Sequence, residues 1–132
     1  MNCTVMRKFP STLLLILAFT TLQAQQRHTR DSLLNLVGDG KEDTAKVRHL
    51  LLLARYYERH NQDSSSYYLE KSMALSKSLN YLRGEYEYFE QGSIVSFTMG
   101  NYEKSMTEGK EALRLARQLK DSALVVNCLN NI

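Results

Sequence analysis

Tryptophan is absent from the 132 residues, proline occurs once, at Pro10, and there are only 6 glycines and 2 cysteines. So little turn punctuation excludes a many-turned β-sandwich or barrel and favours an all-helical chain. Neither sign of charge dominates: 17 Lys+Arg stand against 14 Asp+Glu, and without Arg7 and Lys8 the stretch 25–132 keeps 15 against 14, a formal charge of +1. Acids and bases are interspersed, which excludes the basic footprint of a nucleic-acid binder or of a polybasic membrane-surface protein. Long apolar runs are missing too. The longest, Leu13–Phe19, has seven residues, against the ~18–20 that a membrane-crossing helix needs. What is present, 43% hydrophobic and 23% charged residues, fits one globular domain.

Residues 1–24 read as a secretory signal peptide, with a basic Arg7-Lys8 stretch, the apolar run Leu13–Phe19 and then Thr20-Thr21-Leu22-Gln23-Ala24, in which Leu22 is bulkier than the cleavage pattern prefers. Cleavage near Ala24 and an exported chain, periplasmic or secreted, are expected. Cys3 precedes the apolar run, so it is misplaced for a lipid anchor. After cleavage Cys128 stands alone, and no intrachain disulfide can form. Packing must hold the fold, with Cys128 expected as a small buried hydrophobe among Ala123, Leu124, Val125, Val126 and Leu129.

Residues 25–43 form an N-terminal segment with a short lead-in helix, Asp31 to Val37, ended by Gly38-Asp39-Gly40. Asp43 or Thr44 then caps a longer helix in which Val47, Leu50, Leu51 and Ala54 recur at helical spacing. A polar break at His60-Asn61-Gln62-Asp63 precedes a helix carrying Leu69, Met73, Leu75 and Leu79. A loop this short predicts two antiparallel helices.

Positions forty apart then correspond. Ser72-Met73 matches Ala112-Leu113, Leu75-Ser76-Lys77 matches Leu115-Ala116-Arg117, and Leu79 matches Leu119. Tyr57 falls on Phe97, and His60-Asn61-Gln62 on Gly100-Asn101-Tyr102. The chain therefore reads as an array over 44–132, with a first unit at 44–80, a second at 81–120 and the start of a third at 121–132, capped by Asp121. Such units cannot bury their apolar faces alone. The segment 121–132 is thus expected to be covered by further repeats, by a partner, or by self-association of this exposed helix.

The segments Gly100-Asn101-Tyr102-Glu103-Lys104-Ser105-Met106, Glu111-Ala112-Leu113 and Leu129-Asn130-Asn131-Ile132 resemble the tetratricopeptide repeat (TPR) family. Phe89, Gly92, Ser93 and Ser96 take its first-helix positions in the second unit, and Ser105, Gly109 and Ala112 its second-helix positions. Leu52, Leu53 and Tyr56, then Ser65, Leu69 and Ser72, take the same places forty residues earlier. The chain departs at Gly92-Ser93, where the family has a Leu-Gly pair, at Gly109, where it has a large aromatic, in lacking the terminal proline, and in its longer repeat. The resemblance implies an all-α fold, a right-handed α-solenoid of antiparallel helix hairpins with repeats of about 40 residues. It also implies a concave groove lined by first helices, which places Tyr57, Glu58, Glu87, Glu90, Gln91, Phe97, Asn127 and Asn130 there. Tyrosines and carboxylates suit a peptide with some positive charge.

Chemistry-bearing constellations are lacking. Gly38-Asp39-Gly40-Lys41 has neither the preceding Gly nor the following Ser/Thr of a phosphate loop. His28, His49 and His60 are too scattered for a metal site. Glu85, Glu87 and Glu90, interleaved with Tyr86 and Tyr88, have no nucleophile or second base beside them and read as a solvated or ligand-facing stripe. Lys110, Arg114 and Arg117, with Glu108 and Glu111, read as the water-facing side of a helix paired at i,i+3. No catalytic residue, cofactor or metal is expected. The function expected is a protein–protein interaction module binding a peptide or protein partner, with no nucleic acid and with a membrane only through a missing C-terminal region. The alternative is the truncated sensory input region of a membrane-bound histidine kinase or helix-turn-helix regulator, whose exported N-terminal regions the chain is similar to.

Overall fold

The computed structural model describes residues 29–38 and 40–131, which hold helices and no strand. The leader expected at 1–24 lies outside the described residues. Helix α1 covers 29–38. It is followed by α2 (Thr44–Tyr57), α3 (Gln62–Ser78), α4 (Leu82–Thr98), α5 (Tyr102–Gln118) and α6 (Ser122–Asn131). From Leu33 onward the chain forms one compact unit.

Local chemistry sets the helix starts. The side chains of Asp43, Asn61 and Asn101 accept from the N–H groups of Lys46 (3.0 Å), Ser64 (2.9 Å) and Lys104 (3.1 Å). Asp121 Oδ1 accepts from Ala123 N (3.1 Å) and Leu124 N (3.3 Å). Each cap satisfies donors that the first turn leaves without intrahelical partners. Gln62 and Asp63, expected in the break, instead form the first turn of α3, because Asn61 is the residue that caps it.

The helix ends repeat still more closely. From α3 onward helices begin at 62, 82, 102 and 122, a step of 20 residues, and α3, α4 and α5 each have 17 residues. Three stops share one geometry: Asn80 (φ 51°), Gly100 (φ 76°) and Lys120 (φ 55°) are left-handed. The next residue's N–H then reaches back to Ser76 O (2.8 Å), Ser96 O (2.9 Å) and Ala116 O (3.3 Å). This is the hydrogen-bond pattern of a Schellman stop. The turn after α2 is built differently, with no left-handed residue and the Asn61 N–H on Tyr57 O (2.8 Å).

Each helix packs on its sequence neighbours from α2 to α6, and α2 also touches α4. Consecutive helices are antiparallel: the start of α3 meets the end of α2 where Ser65 Oγ donates to Ala54 O (2.8 Å), and Ser105 Oγ does the same to Ser93 O (2.8 Å) across α4 and α5. Small residues allow these approaches. A Cβ on Gly84 would overlap Ser76 Oγ and come within 2.9 Å of Val47 Cγ1, so α4 can lie against α3 and α2 together only with glycine there.

The apolar core is layered rather than central. One cluster joins Val47, Leu50, Leu51 and Ala54 to Leu69, Leu75 and Val95. The other joins Tyr86 to Ala112, Leu115, Ala116, Leu124 and Cys128. Helix α4 belongs to both. Cys128 is 3% exposed, as expected for a small hydrophobe. No helix among the described residues is long and apolar enough to cross a membrane.

Candidate functional site

Gly84 of α4 lies against Val47 of α2, and Gln91 lies against Leu51 and Arg55, so the two helices run in the same direction about forty residues out of step. Helix α6 continues the row, with Cys128 Sγ 3.9 Å from Tyr86 OH and Arg83 Nη1 3.4 Å from Asp121 Oδ2. Where α2, α4 and α6 line up, a cleft of about 250 Å³ opens, walled by Arg55, Arg83, Tyr86, Glu87, Glu90, Leu124 and Asn127.

Three of the eight residues expected in a groove, Glu87, Glu90 and Asn127, share this cleft. The other five lie elsewhere. Gln91 is a correction: it is 1% exposed, with its amide donating to Leu51 O (3.2 Å) and accepting from Arg55 N (2.6 Å). A side chain so engaged fastens α4 to α2 and has nothing to offer a partner. Phe97, 61% exposed, lines separate shallow hollows with Tyr102, Ser105, Met106 and Asn131, because it projects from the far end of α4. Tyr57 stacks on Tyr68 with centroids 5.6 Å apart, Glu58 is the residue that closes α2, and Asn130 is exposed on α6 outside the cleft.

The cleft is more mixed in charge than its carboxylates alone indicate. Arg83 bridges Glu87 (3.1 Å) and Asp121 (3.4 Å) and lies over the Tyr86 ring at 5.7 Å, which ties α4 to the start of α6. Part of the Glu87 charge is thereby offset. Among the described residues Arg55 has no carboxylate within ion-pair distance. Burial lifts the Glu90 carboxyl above the usual range, Arg55 acts against this lift, and Glu87 adds to it. The Tyr86 phenol is raised chiefly by burial, and the Cys128 thiol likewise. Of the two, only Tyr86 lines the cleft.

Arg55 and Arg83 escaped sequence reasoning. Their signal was the forty-residue register itself, which sets Arg55 beside the α4 stripe.

A second polar hollow lies between α3, α4 and α5. Glu108, expected on the water-facing side of its helix, is instead 7% exposed, because α5 turns it inward against Ser96, whose Oγ donates to Glu108 Oε2 (2.6 Å). Glu111 does pair with Arg114, at 2.9 Å. Tyr88 OH donates to Glu70 Oε1 (3.2 Å), and its phenol is pushed up to about 12, first by burial and then by Glu70.

The chain matches no protein-family model, no curated protein and no solved structure.

Proposed function

We propose that this chain is a protein-interaction module of the tetratricopeptide type, a right-handed solenoid of helix hairpins that holds a segment of a partner protein in the cleft between α2, α4 and α6. It works in an exported protein and performs no catalysis of its own. The observation that carries the reading is the cleft, where three helices in forty-residue register set Arg55, Glu87, Glu90 and Asn127 side by side. Support also comes from the small-residue contacts at Gly84 and Ser65 and from the constant 20-residue helix step.

Recognition in such a cleft is polar and directional. Glu90 is the acceptor for a partner cation, since it is partly desolvated and has no hydrogen-bond donor among the described side chains. Arg55 takes an acceptor on the partner, and Asn127 offers an amide to backbone groups. A short extended segment with a basic residue next to an acidic or carbonyl-rich position fits this order.

The test is a panned decapeptide library on the full chain. Selected peptides should carry a basic residue and should lose at least tenfold in affinity on Glu90→Lys, while Glu111→Lys on α5 leaves binding unchanged. Peptides that bind the Glu90→Lys chain as well as the native one would overturn the assignment.

A further inference from the structure

The hollow between α3, α4 and α5 lies on the opposite face of α4 from the cleft: Tyr88, Gly92 and Ser96 line it, whereas Arg83, Glu87 and Glu90 line the other, about half a helical turn away at ~100° per residue. Its volume is about 60 Å³, several times the ~10–15 Å³ that a single water requires. Its walls combine Leu69, Val95 and Met99 with the carboxylates of Glu70 and Glu108.

Glu108 gives the hollow its chemistry. Its side chain is 9% exposed, and Oε2 is held by Ser96. Oε1 accepts no hydrogen bond among the described residues. The Lys104 ammonium stands 3.7 Å from it, beyond hydrogen-bond reach, on a side chain that is 60% exposed. Gly92 keeps the approach to Oε1 open, since a Cβ there would lie 3.2 Å from that oxygen. Oε1 thus belongs to a largely covered side chain and has an acceptor site open toward the hollow, where a donor cation can take it. Methylene groups suit the apolar walls, as they do around any snorkelling lysine. A calcium ion does not suit the hollow, for it needs six to eight oxygen ligands.

We propose that this hollow binds an alkylammonium group, from a lysine side chain of a partner protein or from a free small amine, with Glu108 Oε1 as its acceptor and Lys104 as the resident cation it displaces. Ser96 holds the carboxylate in position for the incoming group. Glu70, tied to Tyr88, adds a second negative charge to the same hollow. Lys104 leaves readily because its side chain is 60% exposed and its ammonium, at 3.7 Å, makes no hydrogen bond to Oε1. The site does not depend on the cleft between α2, α4 and α6.

Amide NMR on the full chain tests it, with n-butylammonium chloride and n-butanol as probes. The expected result is saturable shifts at Gly92 and Glu108 with the ammonium and none with the alcohol. Lys104→Ala should bind the ammonium at least threefold tighter, and Glu108→Gln at least tenfold weaker. Because Lys104 is exposed, its variant remains informative even where Glu108→Gln fails to fold. Equal responses to the two probes, or a Lys104→Ala chain that binds no tighter, would overturn the proposal. An end-blocked Gly-Gly-Lys-Gly-Gly peptide separates the sources. Shifts at the same amides assign a partner lysine, and shifts with butylammonium alone assign a free amine.

Discussion

Asn80 and Lys120, forty residues apart, hold the same left-handed backbone, with φ of 51° and 55°. Each ends a helix, and the N–H of the following residue bonds five residues back, from Tyr81 to Ser76 O (2.8 Å) and from Asp121 to Ala116 O (3.3 Å). Asparagine tolerates this region, whereas a lysine there carries about 1–2 kcal/mol of steric strain. Replacing Lys120 by glycine is therefore expected to raise stability by up to about 1 kcal/mol, after the extra chain entropy of glycine is set against the relief. Urea unfolding of Lys120→Gly measures it, and a lowered midpoint would contradict the shared stop geometry.

Gly84 and Ser76 make a coupled pair. Ser76 Oγ is buried with no hydrogen-bond partner, and it is the atom a Cβ at position 84 would meet first. Gly84→Ala should cost about 1–3 kcal/mol through overpacking. Ser76→Ala should be neutral or stabilising, since it removes a polar group that gains nothing from burial. The double variant should recover part of the Gly84→Ala loss. Strictly additive thermal midpoints would show that the two helices do not meet there.

Gln91 joins α4 to the backbone of α2. Gln91→Leu removes both bonds from a buried site and is expected to cost about 1–3 kcal/mol, with peptide affinity per folded molecule unchanged. Calorimetry and titration of the same sample separate the two effects. Lost binding at unchanged stability would return Gln91 to the groove.

Stability should carry a pH signature from Glu90. Its carboxyl is raised in the folded chain from 4.5, chiefly by burial. A raised acid stabilises the fold fully below the unfolded value and loses that contribution as pH climbs through the folded one. The native chain should therefore lose stability relative to Glu90→Gln as pH rises from 4.5 through that raised value. Thermal midpoints of the two chains across this range give the difference. A constant gap would contradict the buried placement of Glu90.

Much of the helical frame could be read from the sequence because caps are local. Asp43 and Asp121 mark helix starts through hydrogen bonds that span only two or three residues. Leu50, Leu51 and Ala54 point inward as their spacing indicates. Inward-facing polar groups were less legible. Gln91 and Glu108 look like surface residues in any helical window, and only the docking of α2 on α4 and of α4 on α5 buries them. The groove suffered for the same reason. Forty-residue register brought Glu87, Glu90 and Asn127 together, yet Phe97 and Tyr57 lie near helix ends, where they meet Tyr102 and Tyr68 instead.

Site-specific photocrosslinking tests the central claim most directly. A benzophenone side chain placed at Asn127 inside the cleft should capture a peptide selected from the library, whereas the same group at Arg114, exposed on α5, should capture none. Equal capture at both positions, or capture at Arg114 alone, would contradict a binding cleft between α2, α4 and α6.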